Sequence, residues 1–158
     1  MNQERFNLSQ VISPQLITLD TDATNKEEVL TELAELLYKN EKINDKEGFL
    51  KDVYLREKEG TTGIGQGVAI PHGKSKTVKK TSIAIGITRN LIEWESLDGE
   101  GVSVIILFAV QDTEVNTTHI LMLQQVAIML ADDDFIANLK NVKRVDELIR
   151  LIKEFAYA

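Results

Sequence analysis

The chain holds two histidines and no cysteine, so nucleophilic or acid–base chemistry near neutral pH depends on imidazole. His72 follows a glycine-rich segment and a short apolar strand. His119 falls in the first turn of a predicted helix, after a buried strand and a polar loop. Loops at strand ends and helix N-termini present free N–H groups to anions. The helix dipole disfavours imidazolium, so His119 is expected to be neutral and to donate a hydrogen bond to a phosphoryl oxygen.

The strand that leads to His72 is preceded by four glycines, Gly60, Gly63, Gly65 and Gly67. Glycine tolerates positive φ and lets the backbone approach a ligand, so the N–H groups of this loop are expected to line an anion site. Pro71 lacks an N–H and fixes φ, which predicts that sheet pairing stops there and that the imidazole faces solvent. The lysine-containing segment 73–80 is then interpreted as a solvated connection.

Other kinds of site fit these residues less well. A metal site needs carboxylates, and Asp112 and Glu114 lie near His119, but the chain has no histidine pair at i, i+4 spacing. A hydrolase with a Ser or Thr nucleophile lacks the G-x-S-x-G pattern. The glycine segment lacks the G-x-x-x-x-G-K-[ST] order of a nucleotide loop. On the residues alone, a purely structural role for either histidine stays open.

Composition predicts a single soluble domain. The chain has 158 residues, 43% of them hydrophobic and 27% charged, as in ordinary globular proteins. Its net charge of −7 argues against a nucleic-acid or anionic-membrane surface. Neither a signal peptide nor a membrane-spanning segment is evident, so a cytoplasmic protein is expected.

Hydrophobic periodicity predicts helices on both faces of one mixed sheet. The expected order is a strand, two helices, three or more strands, and three helices. Capping-box spacing at Thr24 and a start near Asn44 define the first two helices, and the second should end at Gly60. Residues 102–110 are almost wholly apolar, which predicts a central strand covered on both faces. Trp94 is expected to anchor an irregular segment before that strand.

Residues 63–73, Gly-Ile-Gly-Gln-Gly-Val-Ala-Ile-Pro-His-Gly, closely resemble the signature of the type-2 enzyme IIA domains of the bacterial phosphoenolpyruvate-dependent sugar phosphotransferase system, the fructose and mannitol family. The run Arg56-Glu57-Lys58-Glu59, the run from Asn116 to Leu121 and residues 135–152 resemble the same family in order and spacing. The resemblance therefore covers residues 8–155 as one domain and leaves residues 1–7 as a tail.

The resemblance implies a three-layer α/β/α sandwich with a small mixed β-sheet. It also implies that His72 accepts a phosphoryl group on Nε2 from the phosphocarrier protein HPr and passes it to an enzyme IIB component. His119 would stabilise the transferred group and Arg56 would order the site. The phosphoryl-binding loop would comprise Thr62, Gly63, Gly65, Gln66, Gly67 and Gly73. Some relatives carry a carboxylate where this chain has Gln66.

No metal or cofactor is implied by the resemblance, and no nucleic-acid partner. The protein would be cytoplasmic and would meet the membrane only through its IIB/IIC transporter. The segment from Ile92 to Gly99 is more similar to fructose-type transporters, which favours sugar transport. The alternative is a regulatory, nitrogen-related module whose phosphorylation state controls another protein.

Overall fold

The computed structural model describes residues 8–113 and 117–156, which form a six-stranded mixed sheet with helices on both faces, as predicted. The strands are β1 (Ile17–Thr21), β2 (Gly63–Gly65), β3 (Val68–Ala69), β4 (His72–Ser75), β5 (Ser82–Ile92) and β6 (Val102–Gln111). The helices are α1 (Lys26–Lys39), α2 (Lys46–Glu59), α3 (Thr117–Leu130), α4 (Asp133–Asn141) and α5 (Val145–Ala156). Short 3-10 turns at Leu8–Gln10 and Pro14–Leu16 precede β1.

Strand β6 lies in the middle of the sheet. β5 pairs with it antiparallel on one side, and β3 and β4 pair with it parallel on the other. β1 extends the sheet beyond β5, and β2 forms an antiparallel hairpin with β3. The predicted central strand is therefore confirmed.

Alternate residues of β6 face two separate cores. The even-numbered residues from 104 to 110 pack with α3, α4 and α5, and the odd-numbered residues from 105 to 109 pack with α1 and α2. All of them are buried. Since complete burial of a large apolar side chain stabilises by about 1.5–3 kcal/mol, β6 is the strand on which both layers depend.

The caps of the first two helices each lie one residue later in the chain than predicted. Asn25, not Thr24, caps α1, because its side chain accepts the N–H of Glu28 at 2.9 Å. The carboxylate of Glu28 accepts the N–H of Thr24 at 2.8 Å, the residue before the cap, so the return bond differs from that of a capping box, which goes to the cap residue itself. Asp45, not Asn44, caps α2, and α2 ends before Gly60 as predicted.

Residues 72–75 form strand β4 where a solvated connection was predicted. His72 pairs with Phe108, and the Phe108 N–H donates to the Pro71 carbonyl at 3.0 Å. Proline removes a donor but keeps an acceptor, so pairing passes through this residue. The lysines at 74 and 76 are exposed and alternate with the buried side chains of Ser75 and Thr77, which is strand periodicity.

Candidate functional site

His72 begins β4, and only 8% of it is exposed. Its ring packs edge-on against the ring of Phe108, with the centroids 4.9 Å apart and the planes at 70°. The prediction that the imidazole faces solvent is wrong, because β4 continues the sheet and sets the ring against its partner in β6. A ring enclosed in this way has few orientations, which suits a nucleophile that must meet a phosphorus atom in line.

The neighbouring glycine fixes which face of the sheet His72 uses. A Cβ on Gly73 would lie 2.4 Å from Phe49 Cε1 and 2.8 Å from Val53 Cγ2, both on α2. Gly73 therefore faces the α1/α2 layer and lets α2 pack closely. Because side chains alternate along a strand, His72 faces the opposite layer, which contains α3.

His119 belongs to that same layer. It lies in the first turn of α3, which follows the carboxyl end of β6 after residues 112–116. The structure describes the backbone of His119 but not its side chain, and Asn116 lies outside the described residues. The chain therefore enters α3, at its positive dipole end, after the five residues that follow the carboxyl end of β6, the strand that pairs with β4.

Arg56 lies on the last turn of α2, where a cation is favoured by the helix dipole. Its Nη1 donates to the carbonyl of Gly60 at 3.1 Å. The guanidinium therefore holds the first residue of the glycine segment against the end of α2.

The glycine segment forms a β-hairpin, and its tip lies far from His72. At its base, the Ile70 N–H donates to the Thr62 carbonyl at 2.9 Å. At its tip, positive φ values of 97°, 58° and 81° occur at Gly65, Gln66 and Gly67. The tip meets β6 at Val104, whereas His72 meets it at Phe108. Four residues of parallel strand separate these points by about 13 Å.

At the hairpin tip, the loop N–H is already bonded to a carboxylate. Gln66 N–H donates to Asp98 Oδ2 at 3.0 Å, and Asp98 also accepts from the Glu100 N–H at 3.0 Å and the Ser96 hydroxyl at 2.9 Å. These bonds, that of Glu100 first, lower the pKa of Asp98. Of the expected phosphoryl-binding loop, the structure brings Thr62, Gly63 and Gly73 to the His72 end and leaves Gly65, Gln66 and Gly67 at the other.

At the hairpin base, the hydroxyl of Thr62 has two partners. Thr62 is 2% exposed, its Oγ1 donates to Glu57 Oε2 at 2.7 Å, and it accepts from Trp94 Nε1 at 3.2 Å. The other carboxylate oxygen of Glu57 pairs with Lys26 Nζ at 2.5 Å. We call Lys26, Glu57, Thr62 and Trp94 the base network.

Sequence analysis missed Glu57 and Lys26. Glu57 sits in a run of four charged residues, and nothing in that run separates the one buried carboxylate from its exposed neighbours. Trp94 was expected as a hydrophobic anchor, and it is 5% exposed, but its N–H bond to Thr62 was not foreseen. A spacing of five between a helical glutamate and a threonine after a terminating glycine is the only local signal.

The described side chains contain no group of three His, Asp or Glu close enough to hold a metal ion. Within the same part of the chain, no helix combines the length and apolar character needed to cross a bilayer.

Residues 10–155 match the family model described as "Phosphoenolpyruvate-dependent sugar phosphotransferase system, EIIA 2". The PTS system 2-O-alpha-mannosyl-D-glycerate-specific EIIABC component of Escherichia coli K12 is 34% identical over 94% of this chain, which spans only 23% of that protein. The PTS system fructose-like EIIA component of the same organism is 38% identical over 60% of this chain and 64% of its own length. The crystal structure of nitrogen regulatory protein IIA-Ntr from Neisseria meningitidis superposes with a TM-score of 0.85 at 28% identity, covering 91% of this chain and 97% of that one.

Proposed function

The chain belongs to the EIIA 2 family of the phosphoenolpyruvate-dependent sugar phosphotransferase system, and from this premise we propose that it carries a phosphoryl group on His72. Its relatives are components of phosphotransferase systems, which supports phosphoryl transfer as the general activity. One observation carries the proposal. His72 heads a strand within the matched region, and its alternation with Gly73 turns it to the layer where α3 begins.

The proposed donor is the phosphohistidine of HPr. Nε2 of His72 attacks phosphorus, a new P–N bond forms, and the P–N bond of the donor breaks. The donor imidazole leaves with the electron pair and takes up the proton that the His72 ring gives up. Such a transfer needs positioning and charge neutralisation more than covalent help from the protein.

The charge on the transferred group would be met by two residues. Arg56 supplies a permanent positive charge from the end of α2, and His119 supplies an imidazole at the N-terminus of α3. The proposed acceptor is a IIB component, and the printed name of one relative, EIIABC, joins A, B and C parts in one protein. Residues 8–155 would form the whole carrier domain, working in the cytoplasm.

We propose sugar uptake as the process served, with fructose as the first sugar to test, since one relative is named fructose-like. A regulatory role is the second candidate, because a nitrogen regulatory protein superposes on nearly the whole chain. The two candidates differ in one measurable step. A transport component passes its phosphoryl group rapidly to a IIB cysteine, whereas a regulatory module passes it slowly or not at all.

The first experiment is intact-mass analysis of wild type and His72→Ala after incubation with phosphoenolpyruvate, enzyme I and HPr. The wild type is expected to gain one acid-labile phosphoryl group, and His72→Ala none. No gain in the wild type, or an equal gain in both proteins, contradicts His72 as the carrier.

The separate role of His119 is tested by His119→Ala. This variant is expected to accept a phosphoryl group but to pass it to IIB slowly, because the group keeps its nucleophile and loses a stabilising donor. Label retention on His72 and the rate of transfer to IIB are followed by quenched-flow. Loss of labelling equal to that of His72→Ala would contradict the separation of roles.

A further inference from the structure

We infer that Glu57 is a positioning residue for phosphoryl acceptance, which acts through Thr62 and never touches the phosphoryl group. This inference rests on the proposed function of His72. The Glu57 side chain is only 7% exposed, and each of its oxygens has a partner, Lys26 Nζ at 2.5 Å and the Thr62 hydroxyl at 2.7 Å. A buried carboxylate is tolerated only when it is paired and hydrogen-bonded, so this one is fixed in place.

A short chain of contacts leads from Glu57 to the nucleophile. The side chain of Thr62 is held by Glu57, and its backbone carbonyl accepts the Ile70 N–H at 2.9 Å. Ile70 is followed by Pro71, whose ring fixes φ, and then by His72. The Thr62 hydroxyl therefore adds a polar tie between α2 and the strand that enters the site, beside the packing of Gly73 on Phe49 and Val53.

A second route runs through Arg56. It adjoins Glu57 on the last turn of α2 and donates to the Gly60 carbonyl at 3.1 Å. A shift of that turn relative to β2 would therefore displace the guanidinium from the hairpin base. The Glu57–Thr62 bond thus sets the relative position of the proposed nucleophile and the proposed cation.

Trp94 and Lys26 complete the base network and make it rigid. The indole N–H donates to Thr62 Oγ1 at 3.2 Å, which leaves the hydroxyl proton directed at Glu57. Lys26 Nζ lies 4.6 Å from the centroid of the Trp94 ring, a cation–π distance. Networks in which every buried polar group is satisfied hold one geometry, and loss of one member loosens the rest.

The test measures initial rates of phosphoryl acceptance from phospho-HPr by full-length protein, at a temperature where every variant is folded. Thr62→Val removes the hydroxyl and keeps the shape, and Glu57→Gln removes the charge. Here kcat is the single-turnover rate constant at saturating phospho-HPr, and KM is the phospho-HPr concentration that gives half of it. Each variant is expected to lower kcat about tenfold with KM unchanged, as misplacement of a reacting group does. Thr62→Ser restores the hydroxyl and is expected to regain wild-type kcat.

Two control variants separate positioning from stability. Glu35→Gln breaks the Lys46–Glu35 pair, which also joins α1 to α2 at 2.6 Å but does not contact β2. Leu30→Ala destabilises the core of α1 outside the base network. Both are expected to keep wild-type kcat, and the nitrogen resonances of His72 should move in Thr62→Val but not in Leu30→Ala.

A milder variant guards against misfolding. Trp94→Phe keeps the aromatic packing, removes only the N–H, and is expected to lower kcat about threefold. Suppose that wild type is labelled, and that kcat of Thr62→Val, Glu57→Gln and Trp94→Phe equals that of wild type or of Leu30→Ala. The inference is then overturned and the proposed function stands. If wild type gains no label, the proposed function fails, and the inference fails with it.

Discussion

The two ends of the β2–β3 hairpin are held by carboxylates in opposite environments. At the base, Glu57 is buried, ion-paired to Lys26 and bonded to a side-chain hydroxyl. At the tip, Asp98 is exposed and bonded to two backbone N–H groups and a serine. The base lies beside the strand that carries His72, and the tip lies about 13 Å away along β6.

This difference separates two requirements that one glycine-rich motif combines. Under the proposed function, the base keeps His72, the proposed nucleophile, in register with Arg56, the proposed cation, which needs a stiff and fully paired contact. The tip must reverse the chain with three successive positive φ values, which needs little more than glycine and an acceptor for one N–H. We expect catalytic effects from changes at the base and stability effects alone from changes at the tip.

The largest expected contrast is between Arg56→Ala and Gln66→Ala. Under the proposed function, Arg56→Ala is expected to slow phosphoryl acceptance about a hundredfold, because the arginine would no longer stabilise the transferring charge. Gln66→Ala should leave the rate within about twofold, because the tip lies about 13 Å from His72 along β6. Initial rates of labelling from phospho-HPr measure both. Arg89→Ala, which removes an exposed arginine paired with Asp20 and Asp22, is the control. A hundredfold loss of rate in Gln66→Ala would show that the tip takes part in the reaction and would contradict the expected difference between base and tip.

The next contrast is in stability, between Gly63→Ala and Gly67→Ala. A Cβ on Gly63 would lie 2.5 Å from the Glu95 carbonyl oxygen, and backbone cannot move aside cheaply, so a loss of about 3 kcal/mol is expected. A Cβ on Gly67 would meet only the end of the Lys140 side chain at 3.0 Å, which leaves the left-handed φ to cost about 1 kcal/mol. Urea unfolding gives both values, and equal losses would show that base and tip are packed alike.

The smallest expected effect concerns pH and Asp98. Its pKa is lowered, so its carboxylate stabilises the fold above the ordinary aspartate pKa, and that contribution is lost as pH falls through the lowered value. Asp98→Asn should therefore unfold at a lower temperature than wild type at pH 7, and the gap should close below about pH 4. Thermal unfolding from pH 7 to pH 2 checks this, and a gap that stays constant over the range would contradict it.

Local pattern was sufficient for the elements whose burial is decided by their own residues. Strand β6 is almost wholly apolar because it is covered on both faces, and Asp132 caps α4 because its carboxylate accepts the Phe135 N–H. The caps of α1 and α2 were misplaced by one residue, because two residue types that cap helices stand side by side at each start, Thr24 with Asn25 and Asn44 with Asp45.

Strand β4 and the base network could not be predicted from local sequence pattern. The burial of His72 depends on the pairing of β4 with β6, which sets its ring against Phe108 more than thirty residues later in the chain, a contact that no local spacing encodes. The role of Glu57 likewise depends on Lys26 and Trp94, which approach from separate elements. Which imidazole and which arginine to consider followed from sequence, whereas the contacts that hold them followed only from the fold.

The position of β6 between β4 and β5 has a consequence for how the protein matures. These two strands are close in sequence, yet the strand that separates them is made later, so it must insert between neighbours already synthesised. Pairing of His72 with Phe108 closes a long loop, which is among the slower events in folding. A nascent chain that ends before residue 102 therefore contains the histidine but not its partner strand. Under the proposed function, the protein would accept a phosphoryl group only after β6 has been made.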